Sequence, residues 1–178
     1  MKISTTSLPG LLLIGLDVHP DERGSFREAF HAAKLANEPR LAAFVPVQQN
    51  VSHNRRGVIR GIHGEPWEKL IHVAHGEVFA AIVDLRRDSP TFGRHETFVL
   101  GGQDALFVPR GYGNAFKALT DPAIYVYLVN EHWTPDIRYA AVAYDDPDIG
   151  IRWPDTDGIE IVSEKDRSNP SFAAFRSS

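Results

Sequence analysis

Glu77-Val-Phe-Ala-Ala-Ile-Val-Asp84 is apolar at every position between its two end carboxylates. A strand packed on both faces reads this way, whereas a strand with one wet face alternates. A buried helical turn would show the same run, but Gly76 in front of it and the Val and Ile within it favour the strand. The flanking sequence repeats the theme. Leu70–Val73, Val78–Leu85, Thr97–Leu100, Leu106–Val108, Ala115–Leu119 and Ile124–Val129 are short, rich in β-branched and aromatic residues, and separated by Gly, Pro and Asp. That spacing, from about Val58 to Asn130, predicts a sandwich or barrel. The fold class is therefore all-β, in the form of a two-sheet jelly roll with short helical additions. One helix is expected over Arg27–Asn37, where Phe30, Ala33 and Leu35 would cover part of a sheet. Behind Trp153 a charged, Pro-containing tail should wrap the surface as irregular chain.

With 178 residues, 43% of them hydrophobic and 24% charged, the chain can build one well-buried core and is short for two. A single domain over residues 1–178 is expected, with its core at about 40–135. The net charge of -4 gives no general attraction to nucleic acid or to an anionic membrane, so any phosphate contact must come from a local group of arginines. The absence of cysteine removes disulfides, thiolate metal sites and cysteine nucleophiles together. Leu11-Leu-Leu-Ile-Gly15 is too short to span a bilayer and has no small-residue cleavage site behind it. A soluble, cytoplasmic protein is the expectation.

Chemistry concentrates in Arg60-Gly-Ile-His63-Gly-Glu-Pro-Trp-Glu-Lys69. Neutral imidazole titrates near working pH, so His63 can take a carbon-bound proton that a neighbouring carbonyl has made acidic. Such a base needs a carboxylate on its other ring nitrogen, and Asp84 and Asp166 are the candidates; Asp84 could equally close its strand before the Arg86-Arg87 turn. Lys69, at the start of an apolar strand, suits the negative oxygen that develops when the proton leaves. In Ile124-Tyr-Val-Tyr-Leu-Val129, alternation puts Tyr125 and Tyr127 on one face. Both can simply pack, but a phenol in a cavity can also deliver a proton opposite a base. Arg23, Arg55, Arg56 and Arg60 could serve a diphosphate, and Arg23 and Arg60, each beside a glycine, are the better placed.

These segments resemble, in order and along nearly the whole chain, the dTDP-4-dehydrorhamnose 3,5-epimerase family. Asp21-Glu-Arg-Gly-Ser-Phe-Arg-Glu28 is similar to the family's Asp-x-Arg-Gly-x-Phe-x-Glu, Gln48-Gln-Asn-Val-Ser52 to its Gln-x-Asn-x-Ser, and Arg60-Gly-Ile-His63 to its Arg-Gly-Leu-His. Val83-Asp-Leu-Arg86, Ser89-Pro-Thr-Phe-Gly93, Gly150-Ile-Arg-Trp-Pro154 and Ser163-Glu-Lys-Asp166 continue the series. The resemblance implies a cupin-type jelly roll that inverts C3, C5 or both in a nucleotide-linked 4-keto-6-deoxy sugar. It implies His63 as base, Asp166 as its partner, Lys69 near the sugar C4 oxygen and Tyr127 as the acid on the other face. Substrate contacts are implied at Arg60, Gln48 and Asn50, diphosphate binding at Arg23, and nucleotide contacts at Phe26 and Glu28 across a homodimer in which an N-terminal strand is exchanged. No cofactor and no metal are implied.

Several pocket positions depart from the family pattern. Gly64 and Glu65 stand where an aromatic and a glutamine are common, the loop from His63 to Lys69 is short, Asn114 replaces a histidine, and His132 replaces a tyrosine. Glu65 offers only acceptors where glutamine offers both roles, so an altered sugar or a different number of inverted centres is expected. Competing readings are a nucleotide-sugar 3,4-ketoisomerase and a nucleotide-sugar-binding cupin without turnover. A metal-dependent cupin, with His63 and Glu65 as ligands, is disfavoured by Asn114, where such a protein would present its last histidine. It is disfavoured too by the odd spacing of His72 and His75.

Overall fold

The computed structural model describes residues 1–178 as two packed sheets with short helices. The first sheet contains β1 (Lys2–Thr5), β2 (Leu12–Gly15), β5 (Gln48–Asn54), β7 (Lys69–His75), β10 (Asp104–Val108) and β12 (Ala123–Val129). Their spatial order is β1-β2-β10-β7-β12-β5. The second contains β6 (Val58–Gly64), β8 (Val78–Asp84), β9 (His95–Leu100), β11 (Tyr112–Ala118) and β13 (Ala140–Ala141) in the order β13-β6-β11-β8-β9. A further strand, β14 (Ile161–Val162), adds in parallel to β6. The remaining pair, β3 (Val18–Asp21) and β4 (Gly24–Arg27), forms a separate hairpin with most of its residues exposed.

Strand β8 is covered on both faces, as its unbroken apolar run requires. Val78, Ala80 and Ile82 point into the space between the sheets, where they join Ile71, Leu106 and Tyr125 in one buried cluster. Val83 faces the other way, into a second cluster with Ile62, Ile149 and Phe172, and Phe79 meets Trp153 edge-on. Across the sandwich Phe116 and Tyr125 stack with ring centroids 4.1 Å apart. The outer face of the first sheet is covered by α1 (Ala32–Leu35) and α2 (Pro39–Ala43), through Leu35, Leu41 and neighbouring Phe44.

Helix α1 is much shorter than the expected Arg27–Asn37. Its N-cap is His31, whose Nδ1 accepts from the Lys34 amide at 3.3 Å, and Arg27 still belongs to β4. The Arg27 guanidinium donates to the Val73 and Ala74 carbonyls at 2.8 and 2.9 Å, which ties the hairpin to β7. Of the three expected contact residues only Leu35 is buried; Phe30 and Ala33 are exposed.

The ends of the chain are more regular than their composition suggests. Leu12–Gly15 is a strand of the main sheet, so buried structure begins well before residue 40. Behind Trp153 lie β14, α3 (Glu164–Arg167) and α4 (Phe172–Ser177). No helix is long and apolar enough to cross a membrane.

Candidate active site

Strict alternation would send Arg60 and His63 to opposite faces of β6, yet both line the same cavity. A bulge resolves the conflict. Arg60 pairs with Phe116 and His63 with Asn114, so three steps on β6 match two on β11 and the side-chain parity flips. Gly61 makes this possible: its φ is +127°, and a Cβ there would sit 2.4 Å from the Ala115 Cβ.

Asp166, rather than Asp84, is the carboxylate at the histidine. Pairing of β14 with Val58 and Ile59 brings the tail alongside β6, and Ser163 then caps α3 by accepting from the Asp166 amide at 3.1 Å. The Asp166 side chain, 5% exposed, lies 2.6 Å from His63 Nε2 through Oδ1 and accepts from the Gly61 amide at 3.3 Å through Oδ2. Burial alone would push its carboxyl up, but the His63 contact and the Gly61 hydrogen bond outweigh burial and hold it below the usual range. With a charged carboxylate on Nε2, that nitrogen carries the ring proton and Nδ1 keeps its lone pair. Asp84 is fully buried elsewhere, accepting from Arg86, Ser89 and Thr91.

The cavity holds about 350 Å³ and lies between the sheets. His63 enters from the second sheet on β6; Tyr127 and Lys69 enter from the first, on β12 and β7. Burial chiefly, and then the Glu65 carboxylate, raise the Tyr127 phenol, against the opposing pull of Arg60. The Lys69 ammonium stands 5.8 Å from the centre of the Tyr127 ring and pairs with Glu65. Tyr125, on the same face of β12, is fully buried and donates to Asn114 Oδ1 at 3.0 Å. Its phenol is strongly raised by burial.

Of the remaining expected site residues, Gln48, Asn50, Arg60, Glu65 and Asn114 line this cavity. Gln48 donates to Asn50 at 2.8 Å and accepts from the Trp133 amide at 2.9 Å, and Arg60 donates to Asn54 at 2.9 Å. Arg23, Phe26, Glu28 and His132 do not reach it within one chain. Arg23 pairs with Asp21 at the hairpin tip, Phe26 is 66% exposed, and Glu28 pairs with Lys34. His132 is exposed while its neighbour Trp133 lines the cavity. His63 and Glu65 are engaged by Asp166 and Lys69 respectively, and no three His, Asp or Glu side chains are gathered as metal ligands would be.

Sequence reasoning missed Ser52, Trp67, Phe116, Trp133 and Tyr139 as cavity residues. Ser52 is signalled by alternation with Gln48 and Asn50 on β5, whereas Trp67 lies in the bend between β6 and β7, where strand alternation does not apply. Tyr139 meets His63 edge-on at 5.8 Å, and its hydroxyl accepts from Lys165 at 2.7 Å. Nothing local in the sequence announces that contact, because it joins a loop to a helix of the tail.

A two-sheet sandwich that opposes a histidine–carboxylate dyad and a half-buried phenol across a polar cavity is a cupin-type scaffold equipped for proton transfer. Residues 5–174 match the dTDP-4-dehydrorhamnose 3,5-epimerase family, and the chain belongs to it. It is 41% identical over 169 residues to the RmlC homolog of Streptococcus pyogenes, covering 92% of this chain and 85% of that one. It is 39% identical over 170 residues to the dTDP-4-dehydrorhamnose 3,5-epimerase of Methanothermobacter thermautotrophicus, covering 92% and 90%. Among solved structures it superimposes on RmlC from Streptococcus suis in complex with dTDP-D-xylose, with a TM-score of 0.86, 38% identity, and 96% and 92% of the two chains covered.

Proposed function

We propose that this protein epimerises a dTDP-linked 4-keto-6-deoxy sugar at C3 and C5 without a cofactor, the reaction its relatives are named for rather than the altered one expected from Gly64, Glu65, Asn114 and His132. The observation that carries the reading is the placement of the His63–Asp166 pair and Tyr127 on opposite walls of one cavity, in a chain that belongs to the epimerase family. Inversion at carbon needs a base on one face and an acid on the other. The ketone at C4 acidifies its neighbouring C–H bonds. His63 Nδ1 takes the proton, the C–H electron pair moves into the enolate with its charge on the C4 oxygen, and Asp166 stabilises the imidazolium. Lys69 supports the enolate oxygen, and Tyr127 donates its phenolic proton to the opposite face. Solvent then restores both groups, and the cycle repeats at the second carbon. A phenol holds its proton at neutral pH with or without the upward shift, so Tyr127 has a proton to donate.

The cavity suits the sugar, with Gln48, Asn50, Arg60, Glu65 and Asn114 as contacts. Arg23, Phe26 and Glu28 lie on or beside an exposed hairpin, outside this chain's own cavity. We assign them to the nucleotide and diphosphate at the partner's site in a homodimer. The 66% exposed Phe26 and the free edge of β5, with Val51 exposed, support that arrangement. Cytoplasmic residence accompanies the reading, because nucleotide-activated sugars are made there.

The test is incubation with dTDP-4-keto-6-deoxyglucose in deuterium oxide. Deuterium at C3 and C5 with inverted products is the expected result. A product with its carbonyl moved to C3 would make the protein a ketoisomerase, and tight binding without exchange would make it a binding module.

A further inference from the structure

Glu65, Trp67 and Lys69 are spaced along the short connection from β6 into β7 and all face the cavity. Glu65 and Lys69 pair with each other, while Trp67, between them, is 3% exposed and its indole Nε1 has no hydrogen-bond partner. An orphaned, buried N–H is costly, and native structures rarely keep one without a use. Packing alone makes no use of the donor, which phenylalanine lacks.

We propose that Trp67 is a specificity-determining residue whose Nε1–H donates to an oxygen of the sugar. The proposal rests on the epimerase reading for the class of ligand. Nε1 is shielded from solvent, and Glu65 and Lys69, which flank Trp67 in sequence, pair with each other. A sugar oxygen that draws Lys69 away from Glu65 opens the approach to Trp67. That oxygen then meets an ammonium and an indole N–H, two donors, and the Glu65 carboxylate is left to accept from a neighbouring sugar hydroxyl. A ligand lacking an oxygen at this point leaves the indole unpaired and is penalised. Discrimination of this kind is strong where a site is built to hydrogen-bond its substrate.

The indole N–H signals of the whole, nitrogen-15-labelled protein report on this contact directly. The chain has three tryptophans, so three signals are followed, and Trp67→Phe assigns one of them. The probes are dTDP-D-xylose, whose hydroxyl oxygens stand in for those of the keto sugar, and dTDP alone. The Trp67 proton should move downfield with saturating dTDP-D-xylose and stay in place with dTDP. Trp67→Phe should weaken dTDP-D-xylose about five- to tenfold, the loss of one hydrogen bond, and leave dTDP affinity unchanged. An unmoved Trp67 signal with dTDP-D-xylose, or the same shift with dTDP alone, overturns the proposal. If that variant fails to fold, Trp133→Phe and Trp153→Phe assign the other two signals, and the wild-type shift of the remaining one decides. Turnover separates this from the reading beneath it: deuterium exchange with an unmoved Trp67 signal leaves an epimerase without the contact. A moved signal without exchange keeps the contact and removes the epimerase.

Discussion

Replacing Asp166 by asparagine keeps the shape of the dyad and removes its charge. The wild-type carboxylate is 2.6 Å from His63 Nε2 and 5% exposed, and His63 is 22% exposed. When His63 takes the substrate proton it becomes an imidazolium whose charge centre lies about 4 Å from the carboxylate's. At an effective dielectric constant near 20 that pair is worth about 4 kcal/mol. Partial exposure of the imidazole reduces it, so about 2–4 kcal/mol of stabilisation of the charged state is lost. This corresponds to a fall in kcat of roughly 30- to 1000-fold. Asparagine can also present its amide to Nε2 and force the tautomer whose Nδ1 carries the proton, which pushes the loss to the upper end. The assay is deuterium wash-in at the substrate carbons under single-turnover conditions, with binding of dTDP-D-xylose as a control. A variant that binds normally and exchanges within threefold of wild type would refute the role given to Asp166.

Tyr127→Phe should lower inversion roughly 10²–10⁴-fold while exchange on the face served by His63 persists; equal loss of both would take the acid role from Tyr127. Gly61→Ala must adopt φ near +127° and places a Cβ 2.4 Å from that of Ala115. Destabilisation of about 2–4 kcal/mol in denaturant unfolding is expected, and an unchanged midpoint would argue against the bulge. The Asp84 carboxyl is lowered to about 2: burial would raise it, but Arg86, Ser89 and Thr91 together prevail. Because the folded value lies below the unfolded one of about 3.9, its contribution of about 2 kcal/mol is present above about pH 5 and disappears as pH falls towards 2. Asp84→Asn should flatten that part of the stability profile, and an acid limb identical to wild type would contradict the assignment.

The sheets were legible because their strands obey a local rule. Val78–Leu85 and Ile124–Val129 carry their burial in their composition, and both are strands within one residue of the expected limits. Leu11–Gly15 was harder, since a short apolar run says nothing about its partner; pairing of β2 with β10 is a contact across some ninety residues of chain. The helix over Arg27–Asn37 failed where tertiary contacts overrode the pattern: Arg27 is held by β7 and His31 caps the turn that follows. In the site, family resemblance supplied Asp166, which spacing alone could not choose over Asp84. The flip that brings Arg60 and His63 together depends on a bulge, and its only local sign is Gly61 between them. Arg23, Phe26 and Glu28, expected from the family resemblance alone, lie outside this chain's cavity.

Deuterium incorporation into dTDP-4-keto-6-deoxyglucose by wild type and by His63→Asn tests the central claim most directly. Wild type should place solvent deuterium at C3 and C5 and release inverted product, and His63→Asn should do neither while still binding dTDP. Undiminished exchange in His63→Asn, or no exchange by wild type with the sugar demonstrably bound, would contradict the assignment of this cavity as an epimerase site.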